Sequence, residues 1–146
     1  MANEINALIH PVGEAVSGIL ATGSVVAGDF LFAYQTSTDD MYAASDSTAF
    51  TAGSLAVQRV ARATGENEVV GIALNNASSG DTLSIATEGV FIGISQGGVT
   101  PGFKVMNQGQ GVIDYNLDAS GGHYVIGRAL TGASAASKYV AFKLSL

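Results

Sequence analysis

Apolar residues in this chain come in short runs separated by clusters of turn formers, and the clearest case is Val69 to Val90. An apolar run, Val69 to Leu74, meets the polar, Gly-containing cluster Asn75 to Asp81. A second run follows, in which Leu83 and Ile85 alternate against Thr82, Ser84 and Thr87. Period-two alternation bounded by Gly, Asn and Ser predicts two strands around a loop. A helix does not fit, because Gly71, Asn75, Asn76 and Gly80 would each weaken its interior.

The stretch recurs. Val125 to Lys143 aligns with Val69 to Thr87 without a gap, and the openings Val-Val-Gly-Ile-Ala-Leu and Val-Ile-Gly-Arg-Ala-Leu share Val, Gly, Ala and Leu in register. Each opening leads through a small-residue loop to a further apolar run, in the second copy Tyr139 to Leu144. Two copies are too few for a solenoid array. They imply one strand–loop–strand unit used twice in a single barrel or sandwich.

The rest of the chain follows the same logic. Strands are expected within Val25 to Tyr34, Phe50 to Val60, Val90 to Ser95, Phe103 to Met106 and Val112 to Leu117. Gln35 to Ser47 reads as a hairpin with its tip at Asp39-Asp40 and Met41 to Ala44 returning. Gln96 to Gly102 reads as a loop, and Asn107 to Gly111 and Asp118 to Gly122 as turns. Turns built on Ala27-Gly28-Asp29, Ala52-Gly53-Ser54, Ser79-Gly80-Asp81 and Pro101-Gly102-Phe103 each launch an apolar run, with glycine free to take positive φ. Short strands at this spacing predict an all-β fold, a small single-domain β-barrel or β-sandwich.

Met1 to Gly23 is the least regular part. His10-Pro11 favours extended backbone, and Gly13 and Gly18 weaken any regular element. Glu14 to Leu20 is open to one helical turn or a plain first strand. The expected organisation is an irregular N-terminal arm, residues 1–23, followed by the barrel or sandwich, residues 24–146.

Composition adds constraints on function. The 146 residues suffice for one domain with its own core. Only 12% are charged, against about a quarter in ordinary soluble domains. The surface therefore relies on Ser, Thr, Asn, Gln and Gly, which suits packing against a large neutral partner. The net charge is −6, and the six cations, Arg59, Arg62, Lys104, Arg128, Lys138 and Lys143, are spread along the sequence with no basic stripe. That pattern argues against nucleic-acid binding and against charge-driven attachment to a membrane. There is no cysteine, which excludes disulfides and thiolate metal sites. The start, Met-Ala-Asn-Glu-Ile-Asn, lacks a basic n-region, and no apolar run approaches the roughly 20 residues of a spanning helix. A soluble protein made in a cytoplasm is the expectation.

Several groups invite a chemical interpretation. Gly93-Ile94-Ser95-Gln96-Gly97 matches the G-x-S-x-G elbow of serine hydrolases, with Asp114 or Asp118 and then His123 following in the order of that fold. The elbow works only on a strand-to-helix turn, and Gly97-Gly98-Val99-Thr100-Pro101-Gly102 cannot start a helix. His10 and His123 are the only imidazoles, too few for zinc without carboxylates brought to them. Asp39, Asp40 and Asp46 lack the spacing of an EF-hand loop. Gln108-Gly109-Gln110-Gly111 lacks the lysine and spacing of a phosphate loop. The aromatics, among them Phe30, Phe32, Phe91 and Phe142, fall at strand positions and fit a core. No catalytic, metal or cofactor residue is expected.

The succession Val-Val-Gly-Ile-Ala, Ser-Gly-Asp-Thr-Leu, Glu-Gly-Val, Pro-Gly and Ile-Gly-Arg-Ala-Leu resembles the capsid decoration (cement) proteins of tailed phages. The resemblance spans roughly Val25 to Leu144 and is best from Val69 onward. It implies a small β-barrel or sandwich bound outside an icosahedral head, often as a homotrimer at three-fold positions. The partner would be the major capsid protein, the location the virion, and the role to stabilise the expanded shell against the pressure of packaged DNA. A virion-attached head-fibre or receptor-binding module is the second expectation, and a hydrolase the third.

Overall fold

A computed structural model describes residues 7–8, 15–34, 58–65, 68–115 and 124–146. In chain order its strands are β1 (Ala7–Leu8), β2 (Ala15–Leu20), β3 (Ser24–Val25), β4 (Phe30–Ala33), β5 (Gln58–Arg62), β6 (Val69–Ala73) and β7 (Ala77–Ser78). They continue as β8 (Thr82–Ala86), β9 (Glu88–Ile94), β10 (Lys104–Gln108), β11 (Gly111–Asp114), β12 (Gly127–Ala129) and β13 (Tyr139–Ser145). No helix occurs among the described residues. The fold is all-β, as the alternation predicts.

Five strands close into a barrel in the order β2-β5-β4-β6-β8, with β2 and β5 parallel and the other pairs antiparallel. Leu20, Leu31, Val60, Ala73, Leu83 and Ile85 form one buried cluster. Val25 and Ala77, paired across the short β3–β7 ribbon, belong to it too. The remaining strands form a sheet in the order β1-β9-β13-β12-β10-β11. This sheet curls, because Ser95, just past β9, bridges Val112 of the far strand β11.

A second buried cluster joins the two bodies. Phe91, Val105, Val112, Ile126, Val140, Phe142 and Leu144 come from the sheet, and Phe30, Val69, Ile72 and Ala86 from the barrel strands. The Phe142 ring lies 6.0 Å from that of Phe30 and 6.2 Å from that of Phe91, so one side chain touches both bodies.

A bulge lets β6 serve both clusters. Phe30 pairs with Ile72 and Leu31 with Gly71, but Phe32 pairs with Val69, so β6 carries one extra residue there. Strict alternation would send Val69 and Ile72 to opposite faces. The extra residue turns both toward the sheet, while Val70 and Ala73 pack on the barrel cluster.

The two sequence copies become antiparallel units in different bodies, with pairing registers that differ by one residue. In the first, β6 pairs with β8 inside the barrel; in the second, β12 pairs with β13 inside the sheet. The shared glycine has a common cause. A Cβ on Gly71 would meet the Ile85 side chain and, at 2.6 Å, the Ala86 carbonyl oxygen. A Cβ on Gly127 would collide with the carbonyl of Lys143. In each copy the glycine gives the returning strand room to approach.

Part of the expected irregular arm, residues 1–23, is regular. Ala15–Leu20 is a barrel strand whose Gly18 pairs with Gln58 on one side and Leu83 on the other. Gly18 is buried there, so a residue that weakens an isolated strand is accommodated by two neighbours. Further back, Ala7 and Leu8 pair with Ile92 and Phe91 at the β9 edge of the sheet. The hairpin expected over 35–47, the turn at 118–122 and the first half of the strand expected over 50–60 lie outside the described residues.

Candidate docking surface

Ser95 and Asp114, the two described members of the hydrolase constellation, each serve a separate loop. Ser95 is buried, and its Oγ donates to the Ala135 carbonyl at 2.7 Å and accepts the Lys138 N–H at 3.1 Å. Its backbone adds two more bonds, to the Lys138 carbonyl and from the Ser137 N–H. The hydroxyl thus anchors the loop that leads into β13, a loop in which Ser137 takes a left-handed φ of 64°. Asp114 serves a different loop: its carboxylate accepts the Thr100 N–H at 2.9 Å and the Thr100 hydroxyl at 2.7 Å. Asp118, His123, His10, Asp39, Asp40 and Asp46 lie outside the described residues. Among the described residues no cluster of three His, Asp or Glu could hold a metal ion.

The Gly-rich piece Gln108-Gly109-Gln110-Gly111 is a joint. It forms the tight turn between β10 and β11, with Gly109 at φ 59°. The Gln110 side chain reaches into the barrel, where Oε1 accepts the Phe30 N–H at 2.6 Å and Nε2 donates to the Ala63 carbonyl at 2.7 Å and the Phe30 carbonyl at 3.1 Å. Asn107 Nδ2 donates to the Gly65 carbonyl at 2.8 Å beside it. The amide bridges the Phe30 N–H and the Ala63 carbonyl, while the Ala63 N–H donates directly to the Phe30 carbonyl. Nearby, Asp29 Oδ2 accepts the Val26 N–H at 3.0 Å and Arg62 Nε at 2.9 Å, tying the turn before β4 to the end of β5.

The outer face of the sheet is different in kind. Along β13, Tyr139, Lys143 and Ser145 are exposed and alternate with buried Val140, Phe142 and Leu144. On β12, exposed Arg128 sits between buried Gly127 and Ala129. Lys104 pairs directly with Arg128, and Arg128 with Lys143. Three of the chain's six cations therefore stand in one row across three strands. The sequence hides this row, because residues far apart along the chain become neighbours only through antiparallel pairing. With Val125, Gly127 and Ser145, these cations line an open concavity of about 310 Å³. Toward the start of β13 the surface turns apolar: Tyr139 is 72% exposed, Phe103 58% and Leu130 51%. Arg128 Nη1 donates to the Gly102 carbonyl at 3.1 Å, next to Phe103.

Comparison with known proteins places this architecture. The family model described as phage cement protein matches residues 12–144. The chain belongs to the phage cement protein family. The match takes in β2 through nearly all of β13, so it spans both the barrel and the curled sheet. Among solved structures, the fold is similar to the head fiber gp8.5 N base of bacteriophage phi29, at 12% identity and a TM-score of 0.55. That likeness covers 90% of this chain and 93% of the other, and at such identity it concerns the fold alone. No curated protein matches the chain.

Proposed function

We propose that this cement-family chain is a decoration protein: it binds the outside of an icosahedral phage head through the major capsid protein and stabilises the expanded shell against internal DNA pressure. The family match across both bodies carries this reading. The role is mechanical. A shell under pressure fails where neighbouring capsomers separate, and a clamp across that junction adds buried area that must be lost first. We expect it to act as a homotrimer on the virion, because several weak contacts engaged together multiply their affinities. A surface with 12% charged residues suits such contacts, since few ions need desolvating. Ser95, the one candidate nucleophile, has its hydroxyl committed to two structural bonds, which supports a role without catalysis.

The test is add-back. Expanded heads lacking this protein are expected to release DNA at a lower temperature than complete heads, and purified protein should restore the difference. Heads whose release temperature is the same with and without the protein would remove the stabilising role. A second reading, a module at the base of a head fibre, is favoured by the likeness to the phi29 head-fibre base. It differs in copy number and in needing a further fibre segment bound to it.

A further inference from the structure

We infer that the Lys104–Arg128–Lys143 row is the recognition point for an acidic segment of the capsid protein, one presenting Asp or Glu side chains to the concavity. The inference deepens the decoration reading and rests on it. Like charges directly opposite one another on neighbouring strands repel, and here two such pairs share Arg128. Among the described residues no carboxylate comes within ion-pair distance of any of the three. Arg62 pairs with Asp29, elsewhere in the fold. By register two acids lie near the row: Asp114, opposite Val105 beside Lys104, whose carboxylate is held by Thr100, and Glu88, opposite Ser145 at the row's edge. A carboxylate entering from outside would relieve the repulsion and accept charge-assisted hydrogen bonds from several donors at once.

The surroundings select the class of partner. The chain as a whole carries −6, so its long-range field repels polyanions such as nucleic acid, and three cations on one concavity are a local counterweight. Phe103 directly precedes Lys104, Leu130 follows Arg128 by two positions and Tyr139 opens β13 four positions before Lys143; all three are large apolar side chains largely exposed to solvent. Arg and aromatic residues together are characteristic of protein–protein contacts. The surface fits a peptide with one or two carboxylates flanked by apolar residues. Phosphate backbone would use only the cations.

The test uses purified heads stripped of this protein. Binding of the wild-type chain is compared with the triple variant Lys104→Gln, Arg128→Gln, Lys143→Gln, and with Glu88→Gln as a control for surface charge. Melting temperatures verify that the variants fold. We expect the triple variant to bind heads at least about tenfold more weakly, the scale of truncated charge pairs at interfaces, with Glu88→Gln near wild type. Wild-type affinity should fall between roughly 50 and 500 mM salt, where screening becomes strong, and the variant's should change less. A carbodiimide, which joins a carboxylate to an amine with no spacer, should link Lys104 or Lys143 to an Asp or Glu of the capsid protein on decorated heads. Equal binding by the triple variant, or decorated heads with no such link, overturns the inference and leaves decoration standing. Wild-type protein that does not bind heads at all overturns the decoration reading itself. Two further outcomes also overturn the inference. Triple-variant-sensitive binding to a DNA oligonucleotide would assign the row to phosphate. Loss of self-association with head affinity per protomer unchanged would assign it to a second copy of the chain.

Discussion

Single residues couple the barrel to the sheet, and Gln110 does so most directly. Its partners, Phe30 and Ala63, lie 80 and 47 positions away in sequence. Gln110→Ala would take the side-chain partner from the Phe30 N–H and the Ala63 carbonyl, while the Phe30 carbonyl keeps the Ala63 N–H. We expect a loss of roughly 2–4 kcal/mol of stability, measured as a lower urea midpoint; an unchanged midpoint would show that the joint is dispensable. Gly127 offers a second probe, because a Cβ there meets strand backbone that cannot rotate away: Lys143 C at 2.8 Å and Leu144 Cα at 3.3 Å. Gly127→Ala should cost at least about 2 kcal/mol in the same assay, while Gly98→Ala, with open space around it, should stay within about 0.5 kcal/mol. At this scale the sequence is least legible. It displays Gly93 to Gly97 as a nucleophile motif, though Ser95 is a loop anchor, and it displays Gln110 as one polar residue in a Gly-rich turn. Hydrogen-bond partners brought together by long-range closure leave no local pattern.

Elements are more legible, because alternation and turn residues are local. The strands of the repeated unit, and β9 and β10, fall close to where their patterns place them. The shared glycine of the two copies is visible in sequence and explained by strand approach. Neither the division of the copies between two bodies nor the parallel β2–β5 pair is legible, since both depend on which distant strands meet. The cation row is hidden for the same reason. Residues 15–20 show the limit of local reasoning: Gly18 argues against a strand, and two flanking strands override it. We propose that the segment ahead of β2 contributes to capsid contact, because its described part is a two-residue pairing at a sheet edge, outside the closed barrel. Deleting residues 1–9 should lower occupancy of heads severalfold while shifting the melting temperature little. Full occupancy after the deletion would remove this role.

At the scale of the whole molecule, a closed barrel and a curled sheet share one apolar cluster, and the sheet turns its outer face, apolar at one end and cationic at the other, to solvent. Composition alone gives a surface of few charges, suited to packing against a large neutral partner. The motif succession from Val69 onward foretells the family. What neither shows is the row of three cations, which meet only across β10, β12 and β13. The central claim, decoration of the head across its lattice, is tested most directly by quantitative mass spectrometry of purified particles from the source. Copies of this chain near parity with the major capsid protein are predicted. A few copies per particle would point to a fibre base instead, and absence from the particle would contradict the account.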